Sequence, residues 1–109
     1  QFSGNPAEND PHWLMISAQV EAYGNLREKA LESLNRSLTA PTVRNNVKAY
    51  GFEFAAAYAL LDDADKTIEW LELSKKADTP NLVLIQFDAR FDKVREDARF
   101  KEFVSKSFK

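Results

Sequence analysis

One stretch, Ala49 to Ser74, limits the fold of this chain more than any other: AYGFEFAAAYALLDDADKTIEWLELS. Val43, Val47, Tyr50, Phe54, Tyr58 and Leu61 are spaced by three or four residues and fall on one helical stripe. Phe52, Ala55, Ala56 and Ala59 widen the apolar surface beyond it. A helix apolar on more than one side needs cover on both flanks, and the small residues Ala55 to Ala57 let a neighbouring backbone come close. Asp62, Asp63 and Asp65 then break the pattern. Aspartate accepts hydrogen bonds from the free N–H groups of a helix start, and its charge suits the positive end of the helix dipole. A second helix is expected to follow, with Ile68, Leu71 and Leu73 apolar and Trp70 half-exposed or buried. Lys75 and Lys76 stand at its C-terminal end, where cations are favoured. So short a connection forces the two helices antiparallel.

The preceding residues repeat this unit. Asp10 and Pro11 open a helix, Asp as the N-cap and Pro in the first turn, where a missing N–H costs nothing. Trp13, Ile16, Val20 and Tyr23 mark its expected apolar face, and Gly24-Asn25 ends it. Arg27 to Leu38 is the partner helix, apolar at Ala30, Leu31, Leu34 and Leu38, and Ala40-Pro41 closes it. Ala30 to Leu34 lines up with Thr67 to Leu71 at an offset of 37 residues, with one extra residue expected in the first turn. Residues Gln1 to Asn9 read as an extended lead-in.

After Pro80 the rhythm changes. Asn81 to Phe87 is a short apolar run, and a lone strand would have no partner, so a short helix is expected. Asp88-Ala89-Arg90-Phe91 and Asp97-Ala98-Arg99-Phe100 are an internal echo nine residues apart. Each Asp is placed to cap a helical turn, and each Phe three residues on is expected to face inward. Phe91, Val94, Phe100, Phe103 and Val104, extended by Phe108, would cover the open side of the last hairpin.

Ala55, Tyr58, the acidic turn, Thr67, Leu71, Ser74 and Pro80 together resemble a tetratricopeptide repeat. Thr67 and Ser74 stand where that family usually has Ala, and Gly51 where Trp is common. The tail resembles the segment that follows such repeats in many bacterial multidomain proteins, with Ala89 and Ala98 replacing its two prolines. The resemblance spans about residues 10 to 106. It implies an all-α fold of αα-hairpin repeats in a right-handed superhelix. Its parts would be hairpins at 10–40 and 42–78 and a cap at 80–109. It also implies that the first helix of each hairpin lines a concave, peptide-binding groove. Carried over by position, the lining is Leu14, Ala18, Glu21 and Ala22, then Ala49, Phe52, Glu53 and Ala56. None of these is Lys, Arg or Asn, which argues against the carboxylate clamp of some family members.

Composition narrows the function classes. The 109 residues suffice for one small core, and 44% apolar content with mixed charge reads as a soluble globular chain. A net charge of -2 argues against nucleic acid, and no apolar run is long enough to span a membrane. Without cysteine there is no disulfide, thiol nucleophile or thiolate metal site, and the compartment stays open. His12 is the only histidine and has no triad or metal companions in sequence. Asp62, Asp63 and Asp65 lack the turn Gly of a calcium loop, so they read as caps. Asn35-Arg36-Ser37 fits a glycosylation sequon but lies within a helix, with Ser37 expected to face the neighbouring hairpin, so it reads as a chance occurrence. The Arg and Lys residues of the tail alternate with acids, which describes a solvated helical surface.

The expectation is therefore a non-catalytic module without cofactor or metal that binds a peptide or partner domain through the groove. The alternative is a packing or self-association domain of a larger bacterial protein, a homodimer built on Leu14 and Phe52 among its forms. A first residue other than Met reads as a processed chain or a fragment.

Overall fold

The computed structural model describes residues 10–107; the expected lead-in and Phe108 lie outside that range. Eight helical elements and no strand occur among the described residues. The chain divides into two compact units, one up to Asn46 and one from Val47 onward.

The first unit holds α1 (Pro11–Tyr23), α2 (Arg27–Leu38) and the single turn α3 (Pro41–Arg44). The Asp10 carboxylate accepts from the His12 N–H at 3.0 Å and starts α1 as expected. The face α1 buries is not the expected one. Leu14, Met15, Ala18 and Ala22 are inside, while Trp13, Ile16, Val20 and Tyr23 stand outward. Both sets have helical spacing, so periodicity alone does not choose between them. The surface of α2 makes the choice. Its buried residues are Ala30, Ser33, Leu34 and Ser37, mostly small, and they admit a helix only at close range. Ala18 and Ala22 permit that approach where Trp13 and Tyr23 would not. Ser37 Oγ donates to the Pro11 carbonyl at 2.6 Å and Ser33 Oγ to Glu21 at 2.8 Å, so the buried hydroxyls are satisfied within the hairpin.

The second unit holds α4 (Val47–Leu60), α5 (Ala64–Lys76), 3₁₀ helices over Pro80–Phe87 and Ala89–Val94, and α6 (Ala98–Ser107). Val43, placed on the α4 stripe by spacing, belongs to α3. Every residue from Phe54 to Leu61 is buried, as so uniformly apolar a helix requires. On one flank α5 packs against it, and Phe54 stacks on Trp70 with ring centroids 5.0 Å apart. On the other flank lies the Ala89–Val94 helix. Inside α5 the buried set is Thr67, Trp70, Leu71 and Ser74; Leu73, expected inside, is exposed. Gly51 of α4 lies against Ser74 of α5. A Cβ there would lie 2.6 Å from Ser74 Oγ, which explains why a residue larger than Gly is absent.

The two hairpin turns are alike and hold the same number of residues, so the extra residue expected in the first is absent. In the first, Asn25 N–H bonds the Ala22 carbonyl and Leu26 N–H bonds Glu21. In the second, Asp62 bonds Ala59 and Asp63 bonds Tyr58, the same pattern 37 residues on. Both turn on a left-handed residue, Asn25 at φ 61° and Asp62 at φ 60°. Of the pair Gly24-Asn25 expected to end α1, Gly24 sits at an ordinary φ of -84°. Asp78, at φ 60°, ends α5 the same way, with Asp78 N–H on Lys75 and Thr79 N–H on Ser74. Asn and Asp tolerate this conformation better than other residues with a Cβ.

Candidate functional site

The offset of 37 fixed by the turns sets the correspondence of α1 with α4. The α1 equivalents of Ala49, Phe52, Glu53 and Ala56 are His12, Met15, Ile16 and Gln19. The α1 residues expected in the groove, Leu14, Ala18, Glu21 and Ala22, do not coincide with this set. Leu14, Ala18 and Ala22 are buried in the hairpin, and Glu21 accepts from Ser33.

On α4, Ala49 is exposed, Ala56 is buried, and Phe52 and Glu53 are engaged by the chain itself. Phe52 meets the Phe91 ring at 5.3 Å between centroids, and Phe91 meets Phe100 at 5.9 Å. Glu53 takes the Arg90 guanidinium at 2.7 Å. In the chain as it stands, Leu14 and Phe52 are therefore not open to a partner or a second copy.

The echoed tetrapeptides make two clasps of one design. Asp88 Oδ1 accepts from the Arg90 N–H and Nε, both at 3.0 Å, while the same guanidinium reaches Glu53 on α4. Asp97 Oδ1 accepts from the Arg99 N–H at 2.8 Å and Nε at 3.3 Å, while that guanidinium reaches Asp65 in the first turn of α5. Both Phe residues point inward, as the spacing implies; Phe91 is wholly buried. Lys93 Nζ adds a bond to the Leu60 carbonyl at 3.2 Å. Burial works against the Asp88 carboxylate, yet the hydrogen bonds from Arg90 and the charges of Arg90 and Arg95 outweigh it. They hold this carboxyl below its usual range. Arg90 loses by burial and gains more from Asp88 and Glu53, so its pKa is raised. Glu53–Arg90 and Asp65–Arg99 were not legible in sequence, because their partners stand more than 30 residues apart.

Asp10, Asp63, Asp88 and Asp97 cap helical turns. Burial, then the Asp63 and Glu69 charges, push the Tyr58 phenol up, so it stays neutral. Among the described residues, no three His, Asp or Glu side chains converge as a metal site would need. No helix among them is long and apolar enough to cross a membrane.

What the first unit leaves open is the outer stripe of α1. Trp13, Ile16, Val20 and Tyr23 are 45%, 37%, 65% and 62% exposed, and their spacing sets them in one row along the helix. Leu26, in the turn that follows, is exposed as well. Comparison with protein-family models, with curated proteins and with solved structures finds no match to this chain.

Proposed function

We propose that this chain is a non-catalytic protein-interaction module built of tetratricopeptide-like hairpins. Its docking surface is the outer stripe of α1, and its partner is an amphipathic helix of another protein. The observation that carries this reading is the row Trp13, Ile16, Val20 and Tyr23, four large apolar side chains left in water on one helix face. Two of the four are aromatic, the residue type that dominates interface energetics.

The second hairpin indicates what covers such a row. Its equivalents there, 37 residues on, are Tyr50, Glu53, Ala57 and Leu60. Ala57 and Leu60 are buried, Glu53 holds Arg90, and the Leu60 carbonyl takes Lys93. Both basic residues come from one short helical segment. The stripe also contains Ile16, the counterpart of Glu53 at the offset of 37. Apolar anchors at three- and four-residue spacing supply the affinity, as in helix-in-groove recognition.

The test is selection from a displayed library of amphipathic helices, with binding sites mapped by NMR shift changes. Binders are expected to perturb α1 and to lose at least about tenfold in affinity with Val20→Glu, a change at an exposed site that leaves the fold intact. Binders that ignore Val20→Glu, or that map elsewhere, would refute the assignment.

A further inference from the structure

Positive charge is favoured at the C-terminal end of a helix, where the last carbonyls lack helical partners. Among the described α-helices, only α1 and α4 carry no basic residue in the last turn. For α4 another part of the chain makes up the lack: Lys93 Nζ donates to the Leu60 carbonyl at 3.2 Å. Three residues before it, Arg90 holds Glu53 at 2.7 Å. The segment Ala89–Val94 therefore runs along α4 in the same direction, toward its C-terminal end. At the offset of 37, Glu53 corresponds to Ile16 and Leu60 to Tyr23. No donor among the described residues reaches the Tyr23 carbonyl. The end of α1 thus keeps the need that Lys93 meets on α4.

Given the α1 docking surface proposed above, we infer that the docked helix carries a Lys or Arg that reaches the Tyr23 carbonyl, and an apolar anchor against Ile16 three or four residues earlier. The spacing comes from the segment on α4. Three residues of 3₁₀ helix rise about 6 Å, the rise of about four residues of α-helix. The docked helix lies parallel to α1, as Ala89–Val94 does to α4, and so brings its cation to the negative end of the α1 dipole.

At the earlier position the partner departs from Ala89–Val94. There Arg90 is held between Asp88 and Glu53. Ile16 offers no carboxylate, and the two carboxylates on or capping α1 are engaged within the hairpin. Asp10 accepts from the His12 N–H, and Glu21 accepts from Ser33 Oγ. An Arg pressed against Ile16 would lose hydration and gain no partner, whereas an apolar side chain gains by burial.

The test is a displayed library of amphipathic helices, randomised at both positions and selected on the full chain. Clones that lose affinity with Val20→Glu are kept, which checks the docking surface itself. The kept clones are expected to carry an apolar residue at the first position and Lys or Arg at the second. Replacing that cation by Met should weaken binding about tenfold. A second selection, on Ile16→Glu, gives α1 the residue that α4 carries at 53, and should turn the first position to Arg or Lys. If no clone is sensitive to Val20→Glu, the docking surface and this inference fall together. Sensitive clones without a basic second position, with binding unchanged when the cation is replaced, or with an apolar first position retained against Ile16→Glu would overturn this inference alone and leave the docking surface standing.

Discussion

Gly51 and Ser74 offer the most exacting test of how the second hairpin is packed. An alanine at 51 would place its Cβ 2.6 Å from Ser74 Oγ and 2.7 Å from Val47 Cγ1, both closer than carbon tolerates. Overpacking of this kind costs about 1–3 kcal/mol. Exchanging a mid-helix Gly for Ala returns about 1 kcal/mol through helix propensity. Gly51→Ala should thus lose up to about 2 kcal/mol net. Ser74 Oγ is itself buried without a hydrogen-bond partner. Removing such an orphan relieves about 1 kcal/mol or more, so Ser74→Ala alone should stabilise the chain. In that background the nearest Ser74-derived atom to the new methyl is the Cβ at 3.7 Å, an ordinary contact. Only Val47 Cγ1 remains close, on the half-buried first residue of α4. Gly51→Ala should then cost about 1–2 kcal/mol less than it does in the wild type. Urea unfolding of the four chains in a double-mutant cycle, followed by circular dichroism, measures this coupling; each kcal/mol also moves the melting midpoint by about 4–8 °C. Additive effects within about 0.5 kcal/mol, or a destabilised Ser74→Ala chain, would refute the packing argument.

Two further outcomes follow from the caps and clasps. Asp88 is held below its ordinary pKa in the folded chain, so its contribution is full above the unfolded value of about 4 and is lost as pH falls through the folded one. Asp88→Asn should therefore lower stability at neutral pH by about 1–2 kcal/mol and flatten the acid limb of a stability–pH curve, with the two chains converging at low pH. Asp78 occupies a left-handed position that glycine takes without strain. Asp78→Gly should raise stability by about 0.5–1 kcal/mol, and thermal unfolding that shows a loss instead would mean the Asp side chain holds the α5 terminus.

Much of this molecule was legible in its sequence because the signals are local. Asp10, Asp63, Asp88 and Asp97 announce helix starts through bonds that span two or three residues. The span of α2 and the inward Phe91 and Phe100 follow from spacing alone. The offset of 37 between hairpins was readable from α2 and α5, but the supposed extra turn residue hid its continuation into α1. Gly24-Asn25 marks the end of α1 in the sequence, but only the structure shows that Asn25 is the one with the positive φ.

What the tertiary structure alone decided is which surface of each element meets another. Two apolar rows on α1 satisfy the same helical period, and only the small-residue face of α2 selects Leu14, Ala18 and Ala22 for burial, leaving Trp13, Ile16, Val20 and Tyr23 in water. Glu53 found Arg90, and Phe52 found Phe91, across nearly 40 residues of chain. Secondary structure answers to hydrogen bonds between near neighbours, which a sequence displays. Facing, burial and exposure answer to the shape of a distant partner, which it does not.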